Sequence, residues 1–232
     1  MISEDGYGNV YMQTPTPNED GGLLQTKLRE FNAILDELPT STNVSKALSD
    51  CPDYSDDMKL IFLRCEVFNV ELAVKRFIQY WEKRVEVFGE KAFSSLLSLA
   101  NDDSEATECK YTQVAESALQ EESVQKKGIV IYVRCLKSIR DWRVRLCKNV
   151  ISSVKGTLPV RLAGCHLIDP PLILHGVISM SKKMMGEKLG KRVYIHSGSL
   201  DKNLKSLSTF GLGRVEMYPT VFGGQLGVKS SY

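Results

Sequence analysis

Few residues of this 232-residue chain have the type and spacing that chemistry requires. Cys135 closes an apolar run and Arg140 follows in a Cys-x4-Arg pattern, which would set a thiolate nucleophile beside a phosphate-holding guanidinium. The loop "CLKSIR" is one residue shorter than the Cys-x5-Arg loop of thiol phosphatases and has no glycine to shape a cradle. Phosphate hydrolysis through Cys135 therefore stands only as an alternative. His166 and His196, with Asp169 and Ser197 nearby, are the residue types of a hydrolase triad. No Gly-x-Ser-x-Gly elbow accompanies them, and their expected role is that of buried, hydrogen-bonded structural histidines. The chain has three histidines without metal spacing, and six cysteines (51, 65, 109, 135, 147 and 165) without a Cys-x-x-Cys pair. This points to reduced thiols rather than a metal site or disulfide framework. No glycine-rich nucleotide loop follows any strand. The expectation is a non-enzymatic protein with no metal, cofactor or catalytic residue.

A formal net charge of +2 excludes a polycation, and no nucleic-acid partner is expected. Any attraction to an anionic surface must come from local clustering, and Lys182, Lys183, Lys188, Lys191 and Arg192 form such a cluster. No apolar run approaches the roughly 18 residues of a membrane span. The first residues lack the basic start and apolar block of a signal peptide, so a cytoplasmic protein peripheral to membranes is expected.

The elements that must position these residues follow from periodicity. Residues 1–22 are polar and read as a disordered tail. Leu24, Leu28, Phe31, Leu35 and Leu38 form a helical stripe ended by Pro39. Residues 56–66 predict a short helix. Asn69 suits the N-cap of a longer one carrying Val70, Val74, Phe77, Ile78, Trp81, Val85 and Phe88, with Gly89 as its stop. This gives a helical unit over 23–97 and an acidic linker over 98–108. A helix is then predicted from about Cys109 to Gln125 and another over 138–154. Strands are predicted at 128–135, 165–169 and 192–197, with a helix over 171–190. Alternating strands and helices imply an α/β fold with a mainly parallel sheet and right-handed crossovers.

The second strand ends in Asp169-Pro170-Pro171. The prolines donate no ladder hydrogen bond, and Pro171 suits the first position of a helix. That helix carries Leu172, Ile173, Leu174, Val177, Ile178, Met180, Met184, Met185 and Leu189, more than one apolar stripe requires. Packing between sheet and neighbours is one reading, and a helix that covers an apolar cavity and also meets a membrane is the other.

Here the residues become specific. Pro159, Arg161, Gly164, His166, Ile168, Asp169 and Pro171 resemble the signature of the CRAL-TRIO lipid-binding family: a Pro and a basic residue, then Gly-x-His-x-Ile-Asn-x-Pro. Phe62, Leu63, Arg64, Phe68, Val70 and Ala73 resemble that family's N-terminal helical unit. "VQKKGIVIYV" resembles its central strand, and Pro219 with Gly223-Gly224 its closing segment. The resemblance covers most of 56–225 and implies a lipid-binding domain over 109–228, with an internal pocket for a phospholipid, tocopherol-like or retinoid-like molecule. It implies a mobile gate at 172–190, a pocket lined by Leu172, Ile173, Val177, Ile178, Met180, Tyr132, Ile168 and Tyr194, and headgroup contacts from Arg161, Lys182, Lys183, Lys188, Lys191 and Arg192. The expected partners are a hydrophobic small molecule or phospholipid and, transiently, a membrane surface.

The departures from the family pattern are local. Asp169 stands for the signature Asn, Arg134 for an Asp at the end of the central strand, Ile61 for a second Arg, and Val160 for an acid that marks phosphatidylinositol binders. A family strand with Asp-x-x-Gly-Arg-Pro is missing between linker and central strand. That omission predicts an exposed sheet edge and low intrinsic stability, and it favours a second alternative, a degenerate domain that serves as a protein-interaction module.

Overall fold

Polar caps start the helices of the N-terminal half. Asp20 accepts the Leu23 N–H at 2.7 Å ahead of α1 (Gly21–Glu37), and Ser55 accepts the Met58 N–H ahead of α3 (Asp56–Cys65). Between them lies α2 (Thr42–Asp50). Asn69, the predicted cap, accepts the Leu72 N–H at 3.0 Å and opens α4 (Val70–Phe88). Gly89 ends α4 at φ +58 and leads into a 3₁₀ segment, Gly89–Phe93. The computed structural model describes residues 17–37, 42–51, 55–93, 115–134 and 156–210, with Thr220 and Gln225 besides. They divide into two compact units, one built from the described residues of 17–128 and 156–161, the other from 129–134 and 162–210.

The first unit is held by an aromatic core. Phe31, Phe62, Tyr80 and Trp81 surround Phe77 or one another edge to face, at centroid distances of 5.1 to 6.3 Å, and Phe93 stacks on Trp81 at 6.1 Å. All six residues that carry the family resemblance here, Phe62, Leu63, Arg64, Phe68, Val70 and Ala73, are buried. Arg64 is the polar exception. Its guanidinium donates to Glu19 at 2.8 Å, to Glu122 at 3.1 Å and to Gln125 at 2.5 Å. Glu19 lies in the segment expected to be tail. Glu122 and Gln125 lie on α5 (Glu122–Lys127). The single helix predicted to Gln125 is instead interrupted: Ala115–Ala118 is helical, residues 119–121 turn, and α5 follows. Its predicted start, residues 109–114, lies outside the described residues, as do linker 98–108, helix 138–154 and the closing motif with Pro219, Gly223 and Gly224.

A second buried cation sits deeper. Arg84 donates to the Ala92 carbonyl at 2.6 Å and to the Tyr80 hydroxyl at 2.7 Å, and it pairs with Glu116. Tyr80 donates to the same carboxylate at 2.8 Å. Burial pushes the Tyr80 phenol well above its usual range, and the Glu116 charge pushes the same way. Removing one partner of such a pair leaves a buried charge uncompensated. Glu116→Ala is expected to lose about 3–5 kcal/mol by urea unfolding, whereas Lys83→Ala, which removes an exposed pair with Glu86, stays within about 0.5 kcal/mol. Equal midpoints for the two variants would show that the Arg84 site rehydrates.

The second unit is a parallel sheet of three strands among the described residues, in the order β1 (Ile129–Arg134), β2 (Leu162–Ile168), β3 (Val193–His196). These are the three predicted strands, with β2 beginning three residues earlier than the motif suggested. The register sets Tyr132, His166 and Tyr194 in one row and Val133, Leu167 and Ile195 in the next. Side chains alternate between faces, so the two rows point opposite ways. On one face Leu167 and Val193 pack with Leu174 and Ile178, the latter from α6 (His175–Gly190). On the other face Ile168 packs with Leu204 and Leu207 of α7 (Leu200–Ser208). A sheet covered by helices on both faces is the α/β architecture expected from the sequence.

Candidate functional site

The turn out of β2 explains the acid and the two prolines. Asp169 adopts φ +50, a left-handed conformation that Asp and Asn tolerate better than other side chains. Its carboxylate accepts the Asn203 amide at 2.9 Å and the Gly198 N–H at 3.3 Å, and its own N–H donates to the His196 carbonyl at 2.9 Å. Pro171 is extended (φ −54, ψ 140), so the helix does not begin there as predicted. A 3₁₀ turn, Leu172–Leu174, intervenes, and α6 starts at His175. Helical geometry then fails at Gly186 (φ 79, ψ 168), a backbone region essentially limited to glycine.

These two breaks leave α6 with two apolar stripes. Leu174 and Ile178 lie on the sheet, Ile178 only 3% exposed, and Met185 joins them half-buried. The other stripe faces outward: Leu172 is 84% exposed, Ile173 67%, and Met180 and Met184 57% each. Val177 falls between them, half-buried. Ile195 on β3 adds a further exposed apolar side chain. The excess of apolar residues in the sequence thus resolves into one docked set and one solvent-exposed set.

The predicted pocket residues do not share one wall. Ile178 is on the α6 face of the sheet. Tyr132, Ile168 and Tyr194 are on the α7 face, because their register positions have the opposite parity to Leu167. The basic cluster also divides. Arg161 and Arg192, expected at headgroups, are buried. Arg161 donates to the Lys126 carbonyl at 2.9 Å, and Arg192 to the Leu162 carbonyl at 2.5 Å. Each precedes a strand, β2 and β3 respectively, and its guanidinium satisfies a backbone oxygen ahead of β1 or at the start of β2, and burial lowers the Arg192 pKa. Lys182 donates to the Val193 carbonyl at 2.9 Å and Lys191 pairs with Glu187 at 2.5 Å. Lys183 is exposed. Lys188 lies on α6, and its side chain is outside the description, as are Cys135 and Arg140.

The two strand histidines are structural, as their pattern suggested. His166 and His196 share a hydrogen bond at 2.8 Å, and His196 bonds the Ser206 hydroxyl at 2.9 Å. His166 lies between Tyr132 and Tyr194 with ring centroids at 5.2 and 5.0 Å, and Phe210 meets it edge-on at 4.8 Å. Among the described residues no group of three metal-binding side chains occurs, and no helix is long and apolar enough to cross a membrane.

The second unit is therefore an open parallel α/β sheet with a two-faced helix at the carboxyl end of its central strand, the usual place for ligands in such sheets. Residues 109–209 are similar to the CRAL/TRIO domain. The family binds small hydrophobic molecules such as lipids. The chain is 28% identical over 116 residues to human alpha-tocopherol transfer protein-like, a match that covers 48% of this chain and 32% of that protein. It is 23% identical over 115 residues to human clavesin-2, covering 48% of this chain and 33% of the relative. The matched part of the chain thus spans about a third of each relative.

The histidine pair generates a prediction. Burial, and secondarily the neighbouring His196, depresses His166 from 6.5 to about 4, and burial lowers His196 as well. The unfolded chain therefore binds protons more readily, so this contribution to stability is complete above pH 6.5 and is lost as pH falls toward 4. The expected loss from His166 is on the order of 3 kcal/mol across that window. Urea midpoints compared with His166→Phe check it: the variant is less stable at neutrality but flatter between pH 6.5 and 4. Parallel curves would assign the acid sensitivity to carboxylates.

Proposed function

We propose that this chain is a carrier or sensor of a small hydrophobic lipid, acting in the cytoplasm at membrane surfaces and catalysing no reaction. The observation that carries this reading is the exposure of Leu172 and Ile173 on the 3₁₀ turn and of Met180 and Met184 on α6, while Leu174 and Ile178 are docked on the sheet. An exposed apolar stripe of this kind is a surface on which lipid could rest. Cargo would enter between α6 and the sheet face that carries Val133, Leu167 and Val193, and Leu174, Ile178 and Met185 would line it from the helix. This differs from the pocket drawn from sequence in leaving out Tyr132, Ile168 and Tyr194. The left-handed Asp169 with its two prolines on one side, and Gly186 on the other, would serve as the two hinges of the gate.

The energetics favour exchange in both directions. Burying a hydrocarbon chain contributes about 0.8 kcal/mol per CH₂, and withdrawing it from a bilayer costs a similar amount, so transfer is close to neutral. With the gate open, outward methionines would rest on lipid while Lys183 meets anionic headgroups, for about 1 kcal/mol per basic residue near the surface.

Met180→Asp with Met184→Asp should slow transfer of a fluorescent phosphatidylcholine or tocopherol between vesicles at least about tenfold, since each methionine contributes about 1.5 kcal/mol or more when buried. Because both side chains are exposed, the melting temperature should hold. Ile178→Asp, by contrast, should unfold the domain, because Ile178 is in the core. Unchanged transfer by the double methionine variant would remove the gate from this reading. If that variant instead abolished capture of a protein partner, the stripe would be a protein-docking face.

A further inference from the structure

The exposed apolar side chains around α6 differ in what an oxidant can do to them. Leu172, Ile173 and Ile195 are hydrocarbon and inert to peroxides. Met180 and Met184 each present a thioether, and each is 57% exposed. They stand four residues apart on α6, so their side chains are neighbours on its surface. The other methionines among the described residues are screened. Met58 is 4% exposed, in the core of the helical unit, and Met185 is half-buried against the cluster of Leu167 and Val193. Any aliphatic side chain would supply apolar contact at positions 180 and 184. Methionine supplies it in a form that oxidation cancels.

Lys183, exposed and three residues after Met180, adds to the arrangement. Residues at that spacing meet on a helix surface, so an oxygen added to the Met180 sulfur comes within reach of the Lys183 ammonium. A hydrogen bond donated by a cation is stronger than a neutral one. Oxidation would then act twice. It makes an apolar contact polar, and it engages a charge that the open gate would present to anionic headgroups.

We propose that Met180 and Met184 form a paired, reversible oxidation site that shuts off the membrane contact of α6. The effect on transfer rests on the membrane-contact reading above; the modification itself rests on exposure. The reaction is oxygen transfer from a peroxide. A sulfur lone pair attacks one peroxide oxygen as the O–O bond breaks and an S–O bond forms, and the second oxygen leaves as water after proton transfer. The sulfur loses two electrons and the peroxide gains them. The product is a polar, chiral sulfoxide, which reductases specific for each epimer return to methionine. Because both side chains are exposed, the change alters the surface and leaves the core closed.

The test treats the full chain with hydrogen peroxide and follows it by peptide mass mapping, thermal melting and transfer of a fluorescent phosphatidylcholine between vesicles. Met180 and Met184 should each gain one oxygen before Met185 and Met58 do, with the melting temperature unchanged. Transfer should fall at least about fivefold, as loss of apolar contact at two side chains predicts, and recover on treatment with the two reductases and dithiothreitol. Met180→Leu with Met184→Leu should lose the response, its treated rate matching that of the same variant untreated. An equal fall in that double variant, oxidation of Met58 ahead of the pair, or an oxidised pair with undiminished transfer would overturn the switch. In the last case Met180→Asp with Met184→Asp separates the two readings. Slow transfer by that variant leaves the gate standing without the switch, and undiminished transfer removes both.

Discussion

The alternation of side chains along β2 governs the sheet unit. This strand is paired on both sides, so its register is transmitted to both neighbours, and each odd or even position carries its whole row to one face. Cys165 and Leu167 commit their row to α6. His166 and Ile168 commit theirs to α7. A one-residue slip of β2 would put His166 beneath α6 and leave Leu167 under α7. The histidine–tyrosine stack therefore fixes the register as well as filling a core. Its shared hydrogen bond is available only when His166 meets His196 two strand positions further along the neighbouring strand.

The same period shows what the sequence could reveal and what it could not. The three strands were legible because β-branched runs interrupted by turn residues have few other solutions, and Asn69 and Gly89 announced the ends of α4 by local chemistry alone. Which face each residue joins was not legible. That depends on where the second strand starts, and "LPVRLA" before the motif gave no alternation from which to count. Tyr132, Ile168 and Tyr194 were consequently placed with Ile178, although the sheet lies between them. Arg161 and Arg192 misled for another reason. A long cation reads as exposed in any one-dimensional pattern, whereas backbone oxygens at a strand entry can satisfy it when buried.

The helical unit uses buried charge in a comparable way. Arg64 and Arg84 are each surrounded by acceptors from distant parts of the chain: Glu19 and α5 for the first, Glu116 and Ala92 for the second. Hydrophobic packing alone would tolerate small slips of these segments. A guanidinium fork does not, because its donors have fixed directions and an unmet one is costly. The aromatic core supplies bulk stability, and the arginines specify which segments close over it. Neither network could be read from sequence, since partners such as Glu19 and Glu122 are ordinary surface acids until the fold brings them together.

The kink in α6 follows from a length mismatch. Parallel pairing sets Val193 level with Cys165 and His196 level with Ile168, so the crossover has to descend only four residues of strand, about 10–13 Å. A straight helix from His175 to Gly190 would run about 24 Å and overshoot the start of β3. Gly186 absorbs the excess by reversing the chain, and Gly190 permits the close return against Lys182 that any side chain would block. The reversal leaves the first part of α6 bounded by a glycine break at one end and a left-handed aspartate with two prolines at the other. Among the described residues, Leu174, Ile178 and Met185 pack against Leu167 and Val193, and the Lys182 bond to the Val193 carbonyl adds to that hold on the sheet.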